Sequence, residues 1–244
     1  MIVAVLALAA FATSIVSGIL GMAGGVALLG VMTAVMAPAV VVPVHGVVQL
    51  VSNGARTAML LEHAAWREVA IFLGPLVLGV AIATRIGRLF DYRWLEPTIG
   101  VVLLAFIAWR RAQPKVRRPP TWLYAIVGFA VGLVMLFIGA TGPLSAIVFK
   151  RDDWAPQRVV ATMAVAQTGG HLLKLPAFFA LGFDYAPHFG LLVGLSGAAI
   201  AGTWVGQRLL ARVPPKTFGL YFDAALFVLG VWLIVAGGVA LPRP

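Results

Sequence analysis

Apolar residues fill this chain in long runs broken by a few polar positions. The runs predict helices near 2–20, 26–37, 44–61, 69–86 and 95–109, and again near 122–138, 143–149, 156–181, 188–207 and 217–239. A helix needs about 20 mostly apolar residues to cross a bilayer, and several of these segments qualify. The expected fold class is an all-α polytopic membrane protein. Charge is segregated in the same way. No charged residue occurs between Met1 and Val44, whereas Arg110 to Arg118 holds five basic side chains in nine positions. Prolines and charges through Thr121 predict a hydrated basic linker over 110–121, expected in the cytoplasm. It separates an N-terminal membrane repeat, 1–109, from a C-terminal one, 122–244.

The two halves align at a nearly constant offset. Gly21 and Gly24 match Gly139 and Gly142, Gln49 matches Gln167, and Arg56 matches Lys174, all at 118 residues. Thr84, Gly87 and Gly100 match Thr203, Gly206 and Gly219 at 119. A register held across a whole half predicts an internal duplication. Each repeat would comprise a glycine-broken helical hairpin followed by three transmembrane helices. Basic clusters at Lys150, Arg151 and Arg158, and at Arg208, Arg212 and Lys216, fall on the linker's side if the halves are inverted. Arg85, Arg88 and Arg93, offset only by Asp91, fall on the other side. Inverted repeats are a common secondary-transporter plan.

Two features carry candidate chemistry. Gly21, Gly24 and Gly25 interrupt the first apolar run, and Gly139 and Gly142, followed by Pro143, interrupt its counterpart. Broken backbone at membrane depth is tolerated where protein or a watery cavity satisfies it. Freed N–H groups at the next helix start suit an anion. Close helix packing through small residues would account for the same glycines. The second feature is a polar stripe. Gln49, Ser52, Asn53 and Arg56 recur at i, i+3, i+4 and i+7, and Gln167, Gly170, His171 and Lys174 repeat that spacing. This is one face of a helix. Amides and an imidazole can donate hydrogen bonds to an anion, and Arg56 and Lys174 would attract it. Alternatively the stripes bond one another, with both cations snorkelling to the interfaces.

Composition narrows the classes further. Hydrophobic residues make up 61% of the chain and charged ones 11%, against about a quarter charged in soluble domains. The net charge of +10 belongs to cytoplasmic loops rather than to a nucleic-acid partner, since no basic helix is long enough to track phosphates. There is no cysteine, hence no disulfide framework or thiolate chemistry. The N-terminal apolar run lacks a basic leader and is expected to be retained. Of eight carboxylates, only Asp223 falls clearly inside a predicted helix, which disfavours a sodium site or proton pump. Gly194-Leu195-Ser196-Gly197 resembles the G-x-S-G of intramembrane rhomboid proteases, but the last histidine, His188, precedes Ser196 where that family places it later. No metal-ligand spacing and no cofactor motif is present, and an enzyme is not expected.

Over nearly its whole length the chain resembles the sulfite exporter TauE/SafE family of bacterial membrane proteins. The resemblance rests on Gly18-Ile-Leu-Gly21-Met-Ala-Gly24-Gly25, its equivalent glycines 118 residues later, the polar helix after each break, and Gly202-x-x-x-Gly206 followed by Arg208. Ala23 stands where the family has a third glycine, Gly30 where it has proline, and Val47-Val48-Gln49 where a small Thr-Ser pair is common. The resemblance implies a fold of two related halves in the bacterial inner membrane that moves sulfite or related organosulfur anions. The expectation is therefore a secondary transporter, an exporter, of a small anion such as sulfite, an organosulfonate or a small organic acid. Its partners would be that anion and the lipid bilayer, with a second copy of the chain as a further candidate. The competing expectation is a non-transporting membrane component such as an assembly factor.

Overall fold

The computed structural model describes residues 2–21, 24–87, 95–112, 118–151 and 153–210, together with Ala224, Phe227, Val228, Gly230, Val231, Ile234 and Val235. Arg88, Asp91, Arg93, residues 113–117 of the basic linker, Arg212, Lys216, Gly219 and Asp223 lie outside the described residues. The described residues form helices and no strand. In chain order the helices are α1 (Ile2–Leu20), α2 (Gly24–Val35), α3 (Pro38–Leu60), α4 (Trp66–Ile86), α5 (Leu95–Ala112), α6 (Thr121–Ile138), α7 (Gly142–Phe149), α8 (Pro156–Ala180) and α9 (Phe189–Leu210). Short 3₁₀ turns at Leu61–His63 and Ala186–His188 precede α4 and α9.

Local chemistry sets the ends. Pro38 and Pro156 sit in the first turns of α3 and α8, where a missing N–H is harmless and φ is preset. Helix α3 therefore begins six residues before the run predicted from 44, carrying Pro43 inside it. Gly21 and Gly139 both take positive φ, 72° and 80°, a conformation that stops a helix and favours glycine. These two stops lie 118 residues apart, the offset at which the two halves of the sequence align. Gly182, with φ 92°, ends α8 in a Schellman motif: Phe183 N–H donates to Phe178 O and Gly182 N–H to Phe179 O, at 2.9 and 3.0 Å.

Among the described residues, four segments are long and apolar enough to cross a membrane: Ile2–Ile19, Trp66–Ile86, Thr121–Ile138 and Ala186–Leu209. They pack as two pairs, α1 with α9 and α4 with α6. Small residues bring each pair together. A Cβ on Gly202 or Gly206 would run into the α1 backbone at Phe11 and Ile15, and one on Gly128 or Gly132 into α4 at Phe72 and Leu76. With no hydrophobic drive between helices in lipid, such close approach is what holds them. Contacts rise together along both chains, so each pair is parallel. Between the pairs run α3 and α8, 23 and 25 residues long, which carry the polar stripes. They pack on each other, α3 also on α9 and α8 also on α4. Thr57 meets Thr168 at 3.1 Å while Gly46 lies against Lys174, so α3 and α8 are antiparallel.

Candidate functional site

On α3 the face toward α8 carries His45, Gln49, Asn53 and Arg56, all buried. Asn53 Nδ2 donates to the Gln49 backbone carbonyl at 2.8 Å and lies 3.3 Å from Gln49 Oε1. Asn53 Oδ1 accepts from Arg56 Nη1 at 3.0 Å. Arg56 is 1% exposed, and no protein atom partners its Nε or Nη2. Among the described residues no carboxylate pairs with it. Ser52 turns elsewhere: its hydroxyl lies 2.9 Å from Thr203 of α9 and 3.3 Å from Ser14 of α1, so it ties three helices together away from α8.

On α8, half-buried Gln167 donates from Nε2 to the Gly21 carbonyl at 3.1 Å. Lys174, fully buried, donates from Nζ to the Gly139 carbonyl. Its stem packs against Gly46, ten residues before Arg56 on α3. At 1.5 Å per residue the two cations are about 15 Å apart along the helices. They flank the middle of the α3–α8 contact from opposite ends and do not converge on one small ion. His171, one turn before Lys174, sits with its ring centroid 6.1 Å from that of His45, at 72°. Gly170 packs against Met135.

The glycine breaks lie against the middle of these helices. Gly21 faces Gln167, about halfway along α8. The Gly25 carbonyl is 2.7 Å from His45 Nε2, and a Cβ on Gly25 would come 3.1 Å from the Gln49 amide. Glycine there lets the α2 backbone touch the stripe. Gly24 faces the Thr13 carbonyl and Ser17 of α1. Gly139 packs against Leu29 and Val42, and Gly142 is buried at the start of α7. The structure thus gathers Gln49, Asn53, Arg56, Gln167, His171, Lys174, Gly21, Gly25 and Gly139 along one interface. Ser52, Gly24 and Gly142 serve neighbouring helix contacts. His45 escaped the sequence reading although it lies four residues before Gln49, one turn back on the same face.

One end of the bundle holds a second polar cluster, a cavity of about 440 Å³. Arg151 is its hub. It bonds Asp153 through Nε and Nη2 at 2.8 and 2.5 Å, and donates to the Tyr124 hydroxyl at 3.3 Å. Glu68 is 3.9 Å away. Hydrogen bonding to Arg151 holds the Asp153 carboxyl well below the usual carboxylate range, and the same bonds keep Arg151 charged. Arg118 reaches Asp153 at 3.2 Å, and Trp154 stacks against Arg151 and Arg158. The hub joins α4, α6 and the α7–α8 loop.

Four apolar spans around two polar-striped central helices define a multi-pass α-helical membrane protein. The family model described as sulfite exporter TauE/SafE matches residues 6–233. The chain belongs to that family, which is a family of transporters, as the glycine breaks and polar helices had suggested. No curated protein and no solved structure matches the chain.

Proposed function

We propose that the protein is a secondary transporter of a small anion, exporting sulfite, an organosulfonate or a small organic acid bound between α3 and α8. The observation that carries this reading is the burial of Arg56 and Lys174 on facing helices with no carboxylate partner among the described residues. An unpaired charge away from water is expensive, and intramembrane cations that no acid neutralises are suited to an anionic ligand. Gln49, Asn53, Gln167 and His171 lie between the two cations and would meet its oxygens. The 15 Å offset gives each end of the pathway its own attracting charge.

Several observations support two inverted halves, with 110–121 linking 1–109 to 122–244. The first helix of each half packs on the fourth of the other, α1 on α9 and α6 on α4. The third helices, α3 and α8, pack antiparallel on each other. The helix-stopping glycines are equivalent. An exchange of halves across a pseudo-two-fold axis in the membrane plane leaves this pattern unchanged, which is the arrangement alternating access uses. Basic residues at the Arg151 end, including Arg67, Arg118 and Arg158, favour placing that end in the cytoplasm of a bacterial inner membrane. Reconstitution into liposomes tests the reading. Flux of sulfite, a sulfonate or a small carboxylate should exceed that of empty vesicles and fall in Arg56→Gln and Lys174→Gln. Absence of flux for the whole panel, in protein shown to be folded, would reject it.

A further inference from the structure

His45 presents a chemistry that the anion reading leaves unused. Its ring is fully buried on α3, and Nε2 sits 2.7 Å from the Gly25 carbonyl. A carbonyl only accepts, so Nε2 must carry the hydrogen. In the neutral ring Nδ1 is then a bare lone pair, an acceptor, and no protein atom donates to it. A doubly protonated ring would add a further buried cation beside Lys174, with no carboxylate among the described residues to balance it, which burial opposes. The groups facing His45 are the His171 ring, whose Nδ1 also lacks a protein partner, and the Lys174 stem against Gly46. The cluster therefore offers one positive charge on α8 and, on the facing helix α3, an acceptor that requires a donor.

We propose that His45 is a specificity-determining residue that accepts a hydrogen bond from the transported anion, so that the site selects anions carrying their own O–H or N–H donor. The inference rests on the anion-transport reading and deepens it by naming the substrate class. Suitable ligands are monoanions with a donor: a hydroxylated sulfonate or carboxylate, or an oxyanion that keeps one proton. Such a ligand directs its anionic group to Lys174 and its donor to His45 Nδ1. A fully deprotonated oxyanion brings only acceptors, setting lone pair against lone pair.

Matched probes test this with the purified protein. Binding of 2-hydroxyethanesulfonate is compared with ethanesulfonate, and of glycolate with acetate, each pair sharing charge and differing by one hydroxyl. Leaving a buried acceptor unmet is a large penalty, so the wild type should prefer the hydroxylated member of a pair by about tenfold or more. In His45→Gln the amide still donates to the Gly25 carbonyl but the Nδ1 acceptor is gone, and the preference should collapse to about threefold or less. In His45→Asn the Oδ1 takes the place of Nδ1, and most of the preference should return. Equal affinities in the wild type, or an undiminished preference in His45→Gln, overturn the role of His45 while leaving anion binding intact. Failure of all four probes to bind folded wild type removes the anion site itself, and this inference with it.

Discussion

Replacing Arg56 by methionine should make the ligand-free protein more stable and weaken anion binding, a combination that helix packing alone does not produce. Methionine keeps the length of the side chain and removes the charge. What is lost is the bond from Nη1 to Asn53 Oδ1, whose net contribution is about 1–3 kcal/mol for a charged donor. What is relieved is the burial of two N–H groups, Nε and Nη2, without protein partners, about 1–3 kcal/mol each, which is the desolvation cost of this part of the guanidinium. The balance favours methionine by roughly 1–3 kcal/mol, or about 2–10 °C in melting temperature for a chain of this size. Lys174→Met differs, because Nζ already has a partner in the Gly139 carbonyl. Removing it strips a donor from the helix break, so this variant should melt below Arg56→Met. In both, affinity should fall by roughly tenfold to a hundredfold for a monoanion and further for a dianion, since the lost bond is to a charge. The assay is thermal unfolding and titration with sulfite or a sulfonate on the same detergent-purified samples. An Arg56→Met protein that melts earlier than wild type yet binds anions unchanged would show that Arg56 serves the fold and not the ligand.

Gln167→Leu leaves the Gly21 carbonyl without its donor and should lower stability by about 1–3 kcal/mol, whereas Gln49→Leu, whose amide turns to Asn53 on its own helix, should chiefly weaken binding. Melting and titration of the pair separate the two effects, and identical behaviour would refute the distinction. Single cysteines at Pro120 and Asp184, introduced into a chain that has none, should be labelled from opposite sides of the membrane. Labelling from one side would defeat the inverted arrangement. Because Arg151 depresses the Asp153 carboxyl, that ion pair contributes in full above the ordinary carboxylate range and is lost as pH falls below it. Asp153→Asn should therefore flatten the acid limb of the stability profile, measured as melting temperature against pH, and leave the neutral region shifted but level.

Most helices were legible because apolar runs and their breakers act locally. The predicted run 2–20 coincides with α1 and 122–138 with all but the first residue of α6. The misses have local causes too. The run expected from 44 starts at 38, because Pro38 suits a first helical turn and the one missing N–H of Pro43 does not stop the helix. Arg110 to Ala112 read as linker from their charge, but they continue α5, since helix propensity does not fall at arginine or alanine. The breaks were legible because Gly21 and Gly139 are needed at positive φ.

The stripes were legible as faces, since residue spacing on one helix follows from its 3.6-residue turn. Their partners were not, because the register and direction of one helix against another are set by packing over both surfaces. Antiparallel pairing of α3 and α8 sends Arg56 and Lys174 to opposite ends, a separation whose size depends on the packing register and not on the matching positions in the sequence. The i+3 member shows the same limit. Ser52 and Asn53 are neighbours in sequence but about 100° apart around the helix, too far for both to face α8. Asn53 joins Gln49 and Arg56, and Ser52 is left to Ser14 and Thr203. Equivalent glycines likewise acquire different partners. Gly21 and Gly139 both present carbonyls that no further helical turn can satisfy, and α8 supplies the donor to each, Gln167 to one and Lys174 to the other. Gln49, the counterpart of Gln167, bonds within its own helix instead. The matching glycines thus stop two helices at positive φ, one stop held by a neutral amide and the other by a cation.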